Sequence, residues 1–341
     1  MNQMPTNDLP TNRWPTTAKL SAFASQPASA TDSFLLLVPG LIWGASFLFI
    51  AEAMRAIGPS GVTFVRILVG FATLSLFPAA RKPLPRSDWT SVAWLGVLWL
   101  AFPLSMFPFA EQHVSSAVTG MLNGANPLFT AIVAAVIARR APSRAVLTGL
   151  AVGMAGAILT ALPTSREGHS SSIGIAMILA ALVSYAFALN IARPLQQRHG
   201  ALPVIWRAQM VALILTAPLG VPDLLAARWL LGPVASLLAL GALGTGVAHV
   251  LISVAAGRLG ATRASATTFI IPAVALVLGV VLRHEKVALL SVVGSVVCLA
   301  GAWIMRRAQS SHESHGATLR NRSRQISERI QPPLPSYQEC K

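Results

Sequence analysis

The stretch from His113 to Leu159 occurs twice in this chain. Moved by 145 positions it lies without a gap on Arg258 to Ile304, so that Pro127 falls on Pro272, Gly149 on Gly294 and Gly156 on Gly301. Ala155 and Ala157 meet Ala300 and Ala302, and upstream Leu95-Gly96 meets Leu240-Gly241. Aliphatic residues match one another cheaply in any apolar sequence, but prolines and glycines mark places where a chain bends or packs closely. An internal duplication therefore constrains the fold before any element is assigned.

Composition says what is duplicated. The chain is 54% hydrophobic and 11% charged, where an ordinary soluble domain is about 25% charged. Ten apolar runs, from 33–51 to 288–305, are each close to the length a helix needs to cross hydrocarbon. Short connections hold most of the charge, Pro and Gly. The reading is an all-α polytopic membrane protein with ten transmembrane helices, a first five-helix repeat over 33–162 and a second over 173–306. Residues 1–32 and 307–341 carry no apolar run and read as disordered tails, the second basic through Arg320, Arg322, Arg324 and Arg329.

Orientation follows from the loops. With the N-terminus in the cytoplasm, the inner side holds 14 Lys and Arg before the C-terminal tail and the outer side holds 5, namely Arg55, Arg166, Arg228, Arg283 and Lys286. The positive-inside rule puts both termini in the cytoplasm. Five spans is an odd number, so the second copy enters the membrane from the opposite face and the two copies are inverted repeats. Such repeats supply two near-equivalent arrangements, each open to one side, which is the basis of alternating access. The net charge of +15 suits lipid head-groups beside the tails better than nucleic acid.

Polar groups inside spans carry the chemical information, because burying them unpaired is costly. In the fourth span Ser116, Thr119, Asn123, Asn126 and Thr130 are spaced 3, 4, 3 and 4, which places them on one helical face. In the ninth span Thr262, Ser265 and Thr268 run toward Pro272 on a similar stripe, with Thr268 at the repeat position of Asn123. Pro127 and Pro272 are helix-breaking candidates, each freeing a carbonyl four residues earlier. Asn123, Asn126, Thr119 and Thr268 are thus candidate substrate-binding residues at the bilayer midplane, with interhelical hydrogen bonding as the plainer role. Trp43 and Trp99 lie deep enough to wall a cavity. Arg66 and Arg207 either bind an anionic group or snorkel to a span end. Candidates for coupling to a proton are His249, inside the eighth span, and Glu52 and Glu111, at the outer ends of the first and third; solvated span ends are the plainer reading of the two acids.

Enzyme chemistry finds no footing. Cys298 and Cys340 form no metal-spaced cluster, no phosphate-cradling GxxxxGK[ST] occurs, and the eleven acids are scattered. No cofactor and no metal site are implied. Gly149, Gly153 and their counterparts in the tenth span suit close helix packing, within the chain or in a homodimer.

Several stretches resemble the EamA-like branch of the drug/metabolite transporter superfamily. Trp43-Gly44-Ala45-Ser46-Phe47 is similar to that family's first-span opening, and Arg66 in TFVRILVG resembles its second-span Arg. Asn126-Pro127-Leu128-Phe129 and Ile271-Pro272-Ala273 resemble its Pro-containing fourth and ninth spans, and Gly241–Gly260 its eighth. His284-Glu285 matches the family's Gly-Glu step only in the Glu, Arg139-Arg140 replaces that step in the first repeat, and Tyr185 stands where Trp is common. The resemblance implies secondary transport, with efflux of a metabolite or drug across a bacterial inner membrane. Cavity-facing Asn, Thr and Trp beside Arg suit a small polar or amphipathic solute such as an amino acid. The alternative is a channel-like facilitator or a lipid-moving membrane protein.

Overall fold

The computed structural model describes residues 29–139, 141–166, 169–260 and 264–308. Residues 1–28 and 309–341 lie outside that range, and so do Arg140, Thr262 and Arg263; the expected tails are shorter than 1–32 and 307–341, because the first helix opens at Ala30 with Ser29 as its cap and the last span runs on to Ala308. Helices dominate, and no strand occurs among the described residues. Among the described residues nine helices are long and apolar enough to cross a membrane: Ala30–Ala53, Arg86–Ala110, Ser116–Ala138, Arg144–Ser165, Ser171–His199, Ala201–Leu225, Leu231–Leu259, Ser265–Arg283 and Leu289–Ala308. The remaining expected span, the second, is the apolar helix Pro59–Ser75 of 17 residues. At about 1.5 Å per residue it reaches roughly 26 Å, just under the hydrocarbon thickness. Pro59 opens it, and the turn of 3₁₀-helix Pro78–Arg81 follows its end.

The outside of the bundle is greasy. Val136, Ile158, Leu219, Leu225, Val281, Leu289 and Val296 are all well exposed, which in water would be an aggregation surface and in lipid is the ordinary condition.

Local geometry repeats with the sequence. The fourth span breaks into Ser116–Asn123 and Asn126–Ala138, and the ninth into a 3₁₀ turn, Ser265–Phe269, and Ile271–Arg283. Pro127 and Pro272 each sit in the first turn of the second piece, where a missing N–H costs nothing. The break changes one expectation. A continuous fourth-span helix would carry Ser116 to Thr130 on one face, and the interruption at Gly124 and Ala125 leaves Asn126 and Thr130 on its second piece. The second pieces end alike, on Arg139 and His284, both left-handed at φ 49° and 55°. The third and eighth spans also match, since each carries a π-helical segment, Gly96–Ala101 and Ala239–Val247.

These π segments admit close packing. A Cβ on Gly96 would lie 2.7 Å from the Val211 Cβ and 3.0 Å from the Ala208 carbonyl oxygen of the seventh span. One on Gly241 would lie 2.5 Å from the Val69 Cβ and 3.0 Å from the Arg66 carbonyl oxygen of the second. Pairings run in exchange throughout. The first span packs on the eighth and ninth, the sixth on the third and fourth, the second on the seventh and eighth, and the seventh also on the third. Fourth and ninth cross at their breaks, where Gly124 abuts the Pro272 ring and Gly120 meets Ala275 and Phe47. Fifth and tenth lie backbone to backbone. Gly149 faces the Gly301 carbonyl, Gly156 faces Cys298 and the Gly294 carbonyl, and Ser291 donates to the Thr160 carbonyl at 2.8 Å. The glycine face that could have served a dimer is engaged within the chain.

Candidate functional site

The π segment of the eighth span is where distant parts of the chain converge. Trp43 of the first span donates its indole N–H to the Gly244 carbonyl at 2.9 Å. Gln209 of the seventh donates its amide to the Thr245 carbonyl at 2.8 Å. Arg66 of the second donates Nε–H to the Thr245 hydroxyl oxygen at 2.9 Å. His249, one turn further on, lies edge-on between Trp43 and Trp99, with ring centroids at 5.6 and 6.1 Å. Four residues singled out from sequence, Trp43, Arg66, Trp99 and His249, therefore gather at one place.

Arg66 is 8% exposed, and it forms no salt bridge among the described residues. Its Nε is held by Thr245, and among the described residues no acceptor bonds its two terminal nitrogens. Tyr185 and Phe107 lie with ring centroids 6.0 Å apart, and Phe107 packs edge-on against Phe47 at 5.6 Å. A buried cation that forms no ion pair with a carboxylate of the described residues is suited to a carboxylate or similar planar anion. Buried side-chain atoms without a hydrogen-bond partner among the described residues include Gln209 Oε1, His249 Nδ1 and both carboxylate oxygens of Glu111.

The two acids at outer span ends differ. Glu52 accepts from Arg55 at 2.9 Å and lies 3.9 Å from Arg283, a partly exposed surface group. Glu111 follows the last residue of the third span and is not solvated, because its oxygens are enclosed. Burial, then the nearby charge of Glu285, pushes its carboxyl well above the usual carboxylate range, with Arg283 and Arg66 pulling the other way.

The remaining candidates sit apart from Arg66, at the crossing of the fourth and ninth spans. Thr119 is fully enclosed, its hydroxyl donating to the Ser115 carbonyl at 2.9 Å. Thr268 donates to the Ser265 carbonyl at 2.8 Å. Asn123 and Asn126 flank the break and are half-buried, and Asn126 Oδ1 has no partner. Along Gly120 and Gly124 the two spans touch directly, so no cavity separates them there. Pro127 and Pro272 mark that break. Sequence reading passed over Thr245, Gly244 and Gln209. Gln209 carried the one available signal, as a lone amide in the apolar seventh span. Among the described residues no group of three His, Cys, Asp or Glu stands together to hold a metal ion.

A bundle of apolar membrane-length helices with buried polar groups gathered at the eighth-span π segment fits a membrane transport protein. The chain belongs to the EamA-like transporter family, whose profile matches residues 32–162 and again 172–307. Among curated proteins it is 24% identical to a "Probable terminal-alkyne amino-acid exporter" of Streptantibioticus cattleyicolor, over 83% of this chain and 96% of that protein. It is 25% identical to a "Probable amino-acid metabolite efflux pump" of Salmonella typhimurium, over 81% and 95%, and 25% identical to the "Uncharacterized transporter YdfC" of Bacillus subtilis, over 76% and 86%. A solved crystal structure shares the fold at a TM-score of 0.56 and 17% identity, covering 81% of this chain and 96% of that one.

Proposed function

We propose that this protein is a secondary exporter of a small amphipathic metabolite bearing a carboxylate, with an amino acid as the leading class. The observation that carries the proposal is Arg66, buried, fixed through Nε by Thr245 and in no ion pair with a carboxylate of the described residues, at the eighth-span segment to which Trp43 also bonds. A charge in that position is expensive to keep, and a substrate carboxylate would offset the cost. The names of two relatives, both referring to amino acids, support the same class.

Alternating access would come from two inverted five-helix repeats in a bacterial inner membrane, with both termini in the cytoplasm. Support for it lies in the matched breaks, the matched π segments and the reciprocal pairing of spans. Glu111 is the candidate for proton coupling. Enclosure raises its carboxyl well above the usual carboxylate range, and opening to the outer water would bring it back toward that range. The Asn123–Asn126 break is a hinge candidate and a second polar lining, reached by substrate once the fourth and ninth spans part.

Counterflow into proteoliposomes tests the proposal. Vesicles preloaded with an unlabelled L-amino acid should take up the same labelled amino acid transiently and saturably. Linear, non-saturable leakage with no overshoot for any of the common amino acids would reject it in favour of a channel-like facilitator.

A further inference from the structure

Thr245 makes more directed contacts than any other residue at the centre of the bundle, and all of them bear on Arg66. Its hydroxyl donates to the Leu240 carbonyl, five residues back, at 3.2 Å. That reach is available because the segment Ala239–Val247 is π-helical and not α-helical. With its proton committed there, the oxygen is left as an acceptor, and Arg66 Nε takes it at 2.9 Å. The methyl fixes the rotamer from the other side. A Cβ placed on Gly70 of the second span would lie 2.8 Å from both Cβ and Cγ2 of Thr245, so the glycine leaves the room in which that methyl sits. The carbonyl of Thr245 is in turn tied to the seventh span by Gln209. Thr245 is 1% exposed and Gln209 is fully enclosed.

We infer that Thr245 is the positioning residue of the substrate site: by holding Arg66 through Nε it presents the two terminal nitrogens, as a fork, to a substrate carboxylate. The inference rests on the reading that Arg66 receives that carboxylate. A guanidinium gripped at Nε loses rotation about its last bonds, and a bidentate pair with a planar carboxylate needs that orientation. Without the grip, Arg66 keeps its charge and its burial but meets the substrate in several rotamers. Binding of the carboxylate should weaken while the turnover of bound substrate is little changed.

The experiment measures counterflow kinetics in proteoliposomes with a panel of labelled L-amino acids, and with the carboxamide of whichever one the wild type carries fastest. Thr245→Val keeps the shape and removes the acceptor, Thr245→Ser keeps the acceptor and removes the methyl, and Thr245→Ala guards against a Val that fails to fold. Thr245→Val and Thr245→Ala should raise KM for the amino acid about tenfold or more with Vmax within about twofold. Thr245→Ser should stay near wild type, and the carboxamide, transported poorly by all, should not separate the variants. Equal impairment of Ser and Val, or a wild-type KM in the folded Val and Ala variants, would overturn the inference. Arg66→Gln separates the two levels of the argument. If it transports with a wild-type KM, or if the wild type carries no amino acid at all, the site reading itself falls. If it loses affinity while Thr245→Val does not, only the positioning role falls.

Discussion

Glu285, in the turn after the ninth span, accepts a hydrogen bond from the Ser116 hydroxyl at 2.7 Å and closes the start of the fourth span with it. The same carboxylate accepts the Ser116 N–H at 3.2 Å and the Ala117 N–H at 2.8 Å. A negative charge on exposed N–H groups at a helix start is favourable both as capping and against the helix dipole. Gly279 makes the approach possible, because a Cβ there would lie 2.6 Å from Glu285 Oε2. Glu285→Ala should lower stability in detergent by roughly 2–4 kcal/mol, since charge-assisted hydrogen bonds are lost and two N–H groups are left without this partner. Gly279→Ala should destabilise too, and the double variant should cost less than the two added, as contacting sites do. Melting temperatures of the four proteins give the cycle; strict additivity would mean that the glycine does not serve the carboxylate.

Backbone contact between the fifth and tenth spans makes their glycines intolerant. A side chain at Gly156 meets the Cys298 backbone, and one at Gly301 meets that of Gly153. Gly156→Val and Gly301→Val should each reduce the folded yield severely, beyond the 1–3 kcal/mol usual for overpacking, because backbone cannot step aside as a side chain can. Size-exclusion profiles of the purified variants check this; monodisperse protein at wild-type yield would contradict it.

Inverted repeats predict opposite exposure of two equivalent turns. With Cys298 and Cys340 replaced, Ala141→Cys should react with a membrane-impermeant thiol reagent only after the cells are opened, and Lys286→Cys should react in intact cells. Both sites reacting from the same side would remove the inversion and, with it, the basis for alternating access.

Coupling through Glu111 has a worked-out sign. A carboxyl raised by burial is protonated where a free one is already ionised, so the enclosed state is favoured below its raised pKa and disfavoured as pH climbs through it. The charged groups that set this are Glu285, which raises it further, and Arg283 and Arg66, which oppose. Export driven by a proton gradient should weaken as external pH rises, and Glu111→Gln should abolish that gradient dependence while leaving one-for-one counterflow. Counterflow and gradient-driven flux lost in equal measure would assign Glu111 to folding or binding instead.

The pattern of legibility has physical causes. Duplicated Pro127 and Pro272, apolar runs and loop cations are local signals, and they yielded the bundle and its breaks. Trp43, Arg66, Trp99 and His249 stood out because aromatic and ionisable groups in apolar spans are costly or conspicuous. The π segments were hidden, since one extra residue per turn over a short stretch leaves no mark in an apolar pattern. So Thr245 read as an ordinary small residue, and its tie to Gln209 depends on how two spans lie together. The stripe from Ser116 to Thr130 assumes an unbroken helix, and the turn at Gly124 and Ala125 divides it into two pieces. Glu285 was noticed as part of a motif, but its partners lie 168 and 169 residues away in sequence.

The most direct test of the central claim compares wild type with Arg66→Gln in counterflow, at matched amounts of folded protein in the same vesicles. If Arg66 receives a substrate carboxylate, the wild type shows a saturable overshoot with an amino acid, and Arg66→Gln shows none at substrate concentrations up to about tenfold above the wild-type KM. An overshoot of unchanged size and half-saturation in Arg66→Gln would contradict the account, and would place the substrate somewhere other than the centre of the bundle.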